Sequence, residues 1–457
     1  MYSSFPSWGR RRFLSSLALS SLGIGLGVGA LPRTARGQSE GPDLLLTFEA
    51  RGGWDSTAFA DPYSDDVFSV HFAEEDILTV PGTDITYAPK EPGVPYLVDG
   101  ADFFVKHANE MLVVRGVNMQ TNSHSAGQRH AFSGKLATGN PNISAMVAAK
   151  KEADLDQVLA LGFMSNGGFS ATSNLLVASR FGNVDAFRAL VEPMVIDPVT
   201  GPDLYRPRAV TEAIWAAEQQ RRTTSPATLL PSNRRSRDAF EGARLAEGGF
   251  DEFSQALNEL PALPTATQSN PLVVDARLAI AAMKSGQCSA AHLALDGFDT
   301  HGNHHPHHMN LLQQLTEGVS YAIDTLKAEG LWSRTIVMIG SDFGRTTYNA
   351  RVGKDHWPIN TYMFFGEDIG GGRVIGATTN GRKEDGTYLG GAAAQKVKVE
   401  GGSIVVADPD DVDAGYLQPL DLMRALRAQF GLQDHPISAN FSLGAGDFGQ
   451  TVLPFFA

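Results

Sequence analysis

Ala290-Ala-His-Leu-Ala-Leu295 runs straight into Asp296-Gly297-Phe298-Asp299-Thr300-His301, and further on Thr335-Ile-Val-Met-Ile-Gly340 runs into Ser341-Asp342-Phe343-Gly344-Arg345. Between these two apolar runs, Leu312, Leu315, Val319, Ala322, Ile323 and Leu326 fall on one face of a helix spanning Asn310 to Leu326. Strand, helix, strand in that order reads as a βαβ unit, and so as a parallel sheet covered by helices. In such sheets the carboxyl ends of the strands carry the site, and the polar motifs fall at those ends. The fold class expected is α/β, with a central, mostly parallel β-sheet flanked by helices.

The same grammar extends outward. Leu44–Phe48 ends at Glu49-Ala50-Arg51-Gly52-Gly53-Trp54-Asp55-Ser56, and Met111–Val117 leads to Asn122-Ser123-His124-Ser125. Thr361–Phe365 ends at Gly366, and Ala276–Met283 is a second helical stretch. Residues 205–268 differ. They are mostly helical in pattern, broken by Pro and rich in Arg (Arg221, Arg222, Arg234, Arg235, Arg237), and read as a helical insertion over one edge, with the basic run as a solvated face. Residues 378–403, rich in Gly, Lys and Thr, read as an excursion of loops or hairpins.

The first 37 residues stand apart from the fold. Arg10-Arg11-Arg12-Phe13-Leu14 precedes an apolar, Gly-rich run from Leu17 to Ala30 and then Ala35-Arg36-Gly37. That is a charged region, an apolar region and a small-x-small cleavage site, in the arrangement of a twin-arginine export signal cut after Gly37. The partner implied is the twin-arginine translocation machinery, and the destination is the periplasm or beyond. The apolar run is short for a membrane span and is weakened by Gly, so no stable span is expected after cleavage.

The full chain carries a net charge of −13, and residues 1–37 hold five Arg and no acid, so the mature part falls to −18. A protein this acidic repels nucleic acid. With one cysteine, Cys288, beside an apolar strand, no intramolecular disulfide can form, and Cys288 reads as a core thiol.

Five elements carry chemistry. Asp299 and His301, two residues apart on a loop, can face one cation, and oxygen-plus-nitrogen ligation suits Zn²⁺, Mn²⁺ or Fe better than Mg²⁺ or Ca²⁺. Asp296 is the other candidate partner for His301. The tract that follows, His304, His305, His307 and His308, carries no assignment, because His-rich tracts bind metal without function. Asp342 ends the next strand. Asp355-His356 is a further carboxylate–imidazole pair. Gly52-Gly53-Trp54-Asp55 and Thr121-Asn-Ser-His124-Ser125-Ala-Gly-Gln-Arg129 complete the set. Each alone has an ordinary structural reading, such as a turn or cap Asp. Their shared placement at strand ends reads as a metal constellation.

With those residues in order, the chain resembles the exported, sulfatase-like family called domain of unknown function 1501, which is placed in the alkaline phosphatase superfamily. The resemblance runs from about residue 42 to the end. It is carried by Gly-Phe-Asp-Thr-His (297–301), Ser-Asp-Phe-Gly-Arg-Thr (341–346), Asp-His (355–356), Gly-Gly-x-Asp (52–55) and His-Ser (124–125). It implies an alkaline phosphatase-like sheet and a divalent cation (Zn, Mn, Ca or Mg). It implies that Asp299, His301 and His356 hold one metal and that Asp342 holds a second. Asp55 would be the early aspartate ligand, with Glu49 as alternative. Ser125 would be the nucleophile, Arg129 would meet developing negative charge, and His124 would be a ligand or a general acid. The function implied is hydrolysis of phosphate or sulfate esters, on a small anionic ester or an envelope polymer. A transferase of phosphate-bearing groups, or a non-catalytic envelope protein that keeps the fold, is the rival. The chain departs from the superfamily at Phe343, which cannot ligate where relatives have His or Asn, and it lacks the sulfatase Cys-x-Pro-x-Arg segment.

Overall fold

The computed structural model describes residues 41–181, 207, 209–210, 213–214, 216–217, 220, 250, 252–264 and 266–456. The leader expected over residues 1–37 lies outside them, as does most of the helical insertion expected over 205–268. Within that span, positions 252–259 are helical, Phe253, Leu257 and Leu260 are buried in the core, and Ala256 is buried.

The inner strands of the sheet arise where apolar runs allow burial on both faces. Those used below are β1 (Leu44–Ala50), β2 (Met111–Asn118), β3 (Phe163–Ser165), β4 (Ala178–Arg180), β5 (Ala290–Leu295), β6 (Thr335–Ser341), β7 (Gly344–Tyr348), β8 (Lys354–Trp357), β9 (Ile359–Phe365) and β10 (Arg373–Ile375). Eight of them form the central sheet in the order β10-β2-β9-β6-β1-β5-β3-β4, while β7 and β8 pair as a hairpin beside it. Strand β9 pairs antiparallel with both neighbours, and the remaining pairings in the sheet are parallel. The mixed direction has a simple cause. The segment between β6 and β9 is taken up by the β7–β8 hairpin and holds no crossover helix, so β9 returns antiparallel.

Five helices cover the sheet: α1 (His124–Ser133), α2 (Ile143–Leu155), α3 (Pro271–Lys284), α4 (His304–Ala328) and α5 (Pro419–Gln429). The caps are set by sequence. The Asn142 side chain accepts from Ser144 N, Asn270 accepts from Leu272 N with Pro271 at the first turn, and α1 stops at Gly134 in a left-handed conformation. The βαβ unit read from residues 290–340 is present as β5-α4-β6, with β1 inserted between the two strands. Helix α4 starts at His304, earlier than the apolar stripe alone indicates, so the His tract forms its first turns.

Alternate residues of β1 divide the core. Leu44, Leu46 and Phe48 join the layer with Leu272, Leu312 and Val319 of α3 and α4. Leu45 joins the opposite layer with Phe132, Met146 and Leu426 of α1, α2 and α5. Residues 378–403 contain the expected hairpin elements, with Thr378–Thr379 paired to Ala393–Ala394 and Val397–Glu400 leading into its pairing with Ser403–Val406. Among the described residues, no helix is long and apolar enough to cross a membrane.

Candidate metal centre

Four loops meet at the carboxyl ends of β1, β5, β6 and β2, and they bring Asp299, His301, Asp342, His356 and His124 together. The approach depends on glycine. Gly52 has φ +120°, and a Cβ there would lie 2.5 Å from Asp299 N. A Cβ on Gly127 would lie 2.3 Å from the Asp342 carbonyl oxygen, so only glycine lets the first turns of α1 pack against the end of β6.

Asp299 is the point of convergence. Its Oδ1 lies 2.9 Å from His301 Nε2, 3.1 Å from His356 Nε2 and 2.8 Å from Arg345 Nη2. Its Oδ2 lies 3.4 Å from His124 Nε2. The two imidazole nitrogens, His301 Nε2 and His356 Nε2, are themselves 3.0 Å apart. Burial alone would push the Asp299 carboxyl up, but hydrogen bonds from Arg345 and His356 and the guanidinium charge hold it at about 2.

The outer nitrogen of each ring faces an acceptor. His124 Nδ1 donates to Asp342 Oδ2 at 2.8 Å, His301 Nδ1 to Asp355 Oδ1 at 2.7 Å, and His356 Nδ1 to the Asn122 carbonyl at 2.9 Å. A carboxylate or carbonyl can only accept, so each Nδ1 carries a proton, and each Nε2 faces Asp299, to which it donates when protonated and beside which it offers a lone pair to a cation when not. The bond to Asp342 is also the main reason the His124 imidazole is more basic than usual.

Beneath the cluster, Arg345 is buried and all its nitrogens are engaged. It donates from Nε to Gly53 O (2.7 Å), from Nη1 to Lys354 O (3.0 Å), and from Nη2 to Phe298 O (3.0 Å), Gly52 O and Asp299. One side chain thereby ties the β1, β5 and β8 segments into fixed relative positions. The Phe343 ring packs against His356 and His124, with centroids 4.4 and 4.9 Å apart.

The structure does not bring Asp55 to this group. Asp55 is fully buried in a second cluster, where it accepts from Lys354 Nζ (2.7 Å), His304 Nε2 (3.0 Å) and Thr57 Oγ1 (2.6 Å). Burial opposes the Asp55 charge, but Lys354 and His304 hold its carboxyl well below the usual range. His308, kept neutral by burial, accepts from the Asp55 backbone N–H at 2.7 Å. The alternative acid, Glu49, is also elsewhere: it is a buried residue of β1, with Oε2 2.8 Å from His292 Nε2 of β5. Asp296 is exposed and pairs with Arg51 at 2.9 Å, so Asp299 is the partner of His301.

Asp342 sits at the cluster but its oxygens are occupied. Oδ1 accepts from Gly52 N at 3.0 Å, and Oδ2 accepts from His124 and from Gln128 Nε2 at 3.2 Å. Ser125 is exposed on the first turn of α1, next to His124. Arg129 follows one turn later, with its Nε on the Leu136 carbonyl at 3.1 Å. Among the described residues, no hydrogen bond of the cluster comes from Ser125 or Arg129. Cys288 is buried, and burial pushes its thiol up to about 12, as fits a core residue.

The donor set fits a cation. Neutral imidazole and carboxylate donors are the ligands of Zn²⁺ and its first-row neighbours. Bonds of about 2.0–2.2 Å place ligand atoms about 2.9–3.5 Å apart around one ion, and the separations here, 2.9, 3.0, 3.1 and 3.4 Å, lie in that range. One atom each of His124, Asp299 and His356 lies within 4.8 Å of the others.

Residues 91–387 match the family model described as "Protein of unknown function (DUF1501)". No curated protein matches the sequence. Among solved structures, the chain is similar to Ps i-CgsB in complex with k-i-k-neocarrahexaose, at 8% identity over 90% of this chain and 76% of that one, with a TM-score of 0.36. It is similar to the alkaline phosphatase of the Antarctic bacterium TAB5, at 11% identity over 73% and 95% of the two chains, with a TM-score of 0.32. It is also similar to the PsFucS1 sulfatase of Pseudoalteromonas sp., at 10% identity over 88% and 70%, with a TM-score of 0.35.

Proposed function

This chain belongs to the DUF1501 family of proteins of unknown function, and from that premise we propose that it is an exported hydrolase of phosphate or sulfate esters that works with a divalent cation. The observation that carries the reading is the convergence of acceptor atoms. Asp299 Oδ1, His301 Nε2 and His356 Nε2 stand about 3 Å from one another, each ring with its Nδ1 turned outward onto an acceptor. Lone pairs gathered that closely repel unless a positive charge is shared among them.

In this reading Asp299, His301 and His356 hold the cation. A divalent cation there supplies positive charge for an ester oxygen and for the attacking hydroxyl. Ser125, exposed and next to His124, offers its oxygen to phosphorus or sulfur. That bond forms as the bond to the leaving alcohol breaks, the Ser125 proton passes to solvent, and the departing alkoxide takes one up. Water then cleaves the serine ester. Arg129 lies four residues after Ser125, hence on the same helix face, where a guanidinium can meet the non-bridging oxygens. A cleft of about 540 Å³, between the Gly297–Gly302 loop and His307, Asn310 and Leu311 of α4, adjoins Asp299 and His301 and would receive the leaving group.

Turnover of aryl phosphates and aryl sulfates by protein supplied with Zn²⁺ or Mn²⁺ tests this. Ser125→Ala is expected to fall to background, and unchanged turnover would remove Ser125 from the mechanism. Phe343 favours a second reading, a fold that keeps a cation without catalysis. A wild type that binds metal and cleaves no ester would support that one. Export rests on the leader sequence. Secreted protein should begin at Gln38, and changing Arg10 and Arg11 to Lys should retain it inside the cell.

A further inference from the structure

We infer that the centre holds one cation rather than two, with Nε2 of His124 as a ligand beside Asp299, His301 and His356, and with Asp342 acting through His124 instead of binding metal. The inference rests on the metal reading above and deepens it.

Three observations carry it. First, the Asp342 side chain is fully buried and takes three donors: Gly52 N on one oxygen, and His124 Nδ1 and Gln128 Nε2 on the other. A carboxylate so engaged orients a ring. It turns His124 Nε2 toward Asp299 Oδ2, 3.4 Å away. The same device recurs at His301, where Asp355 takes Nδ1, and at His356, where the Asn122 carbonyl does. Three rings in one pocket, each anchored at Nδ1 and each aimed inward through Nε2, have the arrangement of metal-bound histidines with their outer partners.

Second, the position next to Asp342 is filled by carbon. Phe343 is buried, and its ring packs against the His124 and His356 imidazoles where a further ligand would have to stand. Third, the other acids at the strand ends are committed elsewhere. Asp55 pairs with Lys354 and His304, Asp296 with Arg51, and Glu49 with His292. One atom each of His124, Asp299 and His356 lies close enough to the others to hold a metal, and His301 Nε2 stands about 3 Å from Asp299 and His356. A consequence follows for catalysis: a His124 whose Nε2 binds metal is not a proton donor at that atom.

The test is equilibrium binding of Co²⁺ and Zn²⁺ to the metal-stripped full chain, read by Co²⁺ absorption and by competition with a chromophoric chelator. The wild type is expected to take one equivalent per chain. Asp342→Asn is expected to keep one equivalent and lose affinity about 10–100-fold, the usual effect of an outer partner. His124→Ala should lose more affinity than Asp342→Asn and change the Co²⁺ spectrum. Circular dichroism of each variant separates loss of a ligand from loss of fold. If a variant does not fold, the wild-type count together with His124→Gln decides. Two equivalents in the wild type, or affinity unchanged in a folded His124 variant, would overturn the inference while leaving the metal reading intact. No binding by the wild type would overturn both.

Discussion

Replacing Lys354 by Met strikes the buried pair under the metal centre. Lys354 and Asp55 are both fully buried, 2.7 Å apart. With the ammonium gone, the Asp55 carboxylate keeps only His304 and Thr57 as side-chain partners. Removing one partner of a buried ion pair costs about 3–5 kcal/mol. Met fills most of the lysine volume and can still pack against Tyr348 and Phe68, whose rings Lys354 faces at 4.9 and 5.8 Å. The expected loss is therefore at the low end, about 3 kcal/mol. Urea unfolding followed by tryptophan fluorescence measures it, since Trp54 is buried beside the cluster. The double variant Lys354→Met/Asp55→Asn removes the stranded charge and should recover at least half of that loss. A single-variant cost below about 1 kcal/mol, or a double variant that loses the sum of the two singles, would refute this account of the pair.

Gly127→Ala places a methyl group 2.3 Å from the Asp342 carbonyl oxygen, which should cost about 1–3 kcal/mol. It should also weaken cation binding by moving His124, and unchanged stability and affinity together would contradict the packing described. Asp275 lies under the β3 loop, accepting from Asn166 Nδ2 at 2.6 Å, and burial raises its carboxyl to about 6. A raised carboxyl stabilises the fold below the unfolded value of 3.8 and loses that contribution as pH rises through 6. Asp275→Asn should therefore stabilise the protein by about 1–2 kcal/mol at pH 7.5, after discounting for partial exposure, and by nothing near pH 3.5. A gain independent of pH would contradict the burial argument.

The sheet was legible because its strands are continuous apolar runs that end in polar loops, and the stripe from Leu312 to Leu326 named the covering helix. The reversal of β9 was not legible, since the stretch between Ser341 and Ile359 is long enough for a crossover and only the β7–β8 hairpin it forms rules one out. At the site, Asp299, His301 and His356 could be picked out because a carboxylate and imidazole close in sequence sit at strand ends. Asp55 could not be placed, because the same Gly-Gly-Trp-Asp spelling serves a ligand or a buried ion pair, and only Lys354 decides. His304 and His308 fall in a His-rich tract, whose composition alone does not tell a core residue from a ligand. Their spacing of four, continuing into Leu312, was the available sign that they lie on the buried face of α4. The role of Arg345 is not legible in sequence, because its bonds go mostly to backbone carbonyls, which sequence does not display.

Anomalous diffraction from crystals of protein loaded with Zn²⁺ tests the central claim most directly. The account predicts one strong peak, about 2.0–2.2 Å from Asp299, His301 Nε2, His356 Nε2 and His124 Nε2, with Asp342 outside bonding range. Absence of any peak, or a peak bonded to Asp55 instead of Asp299, would contradict it.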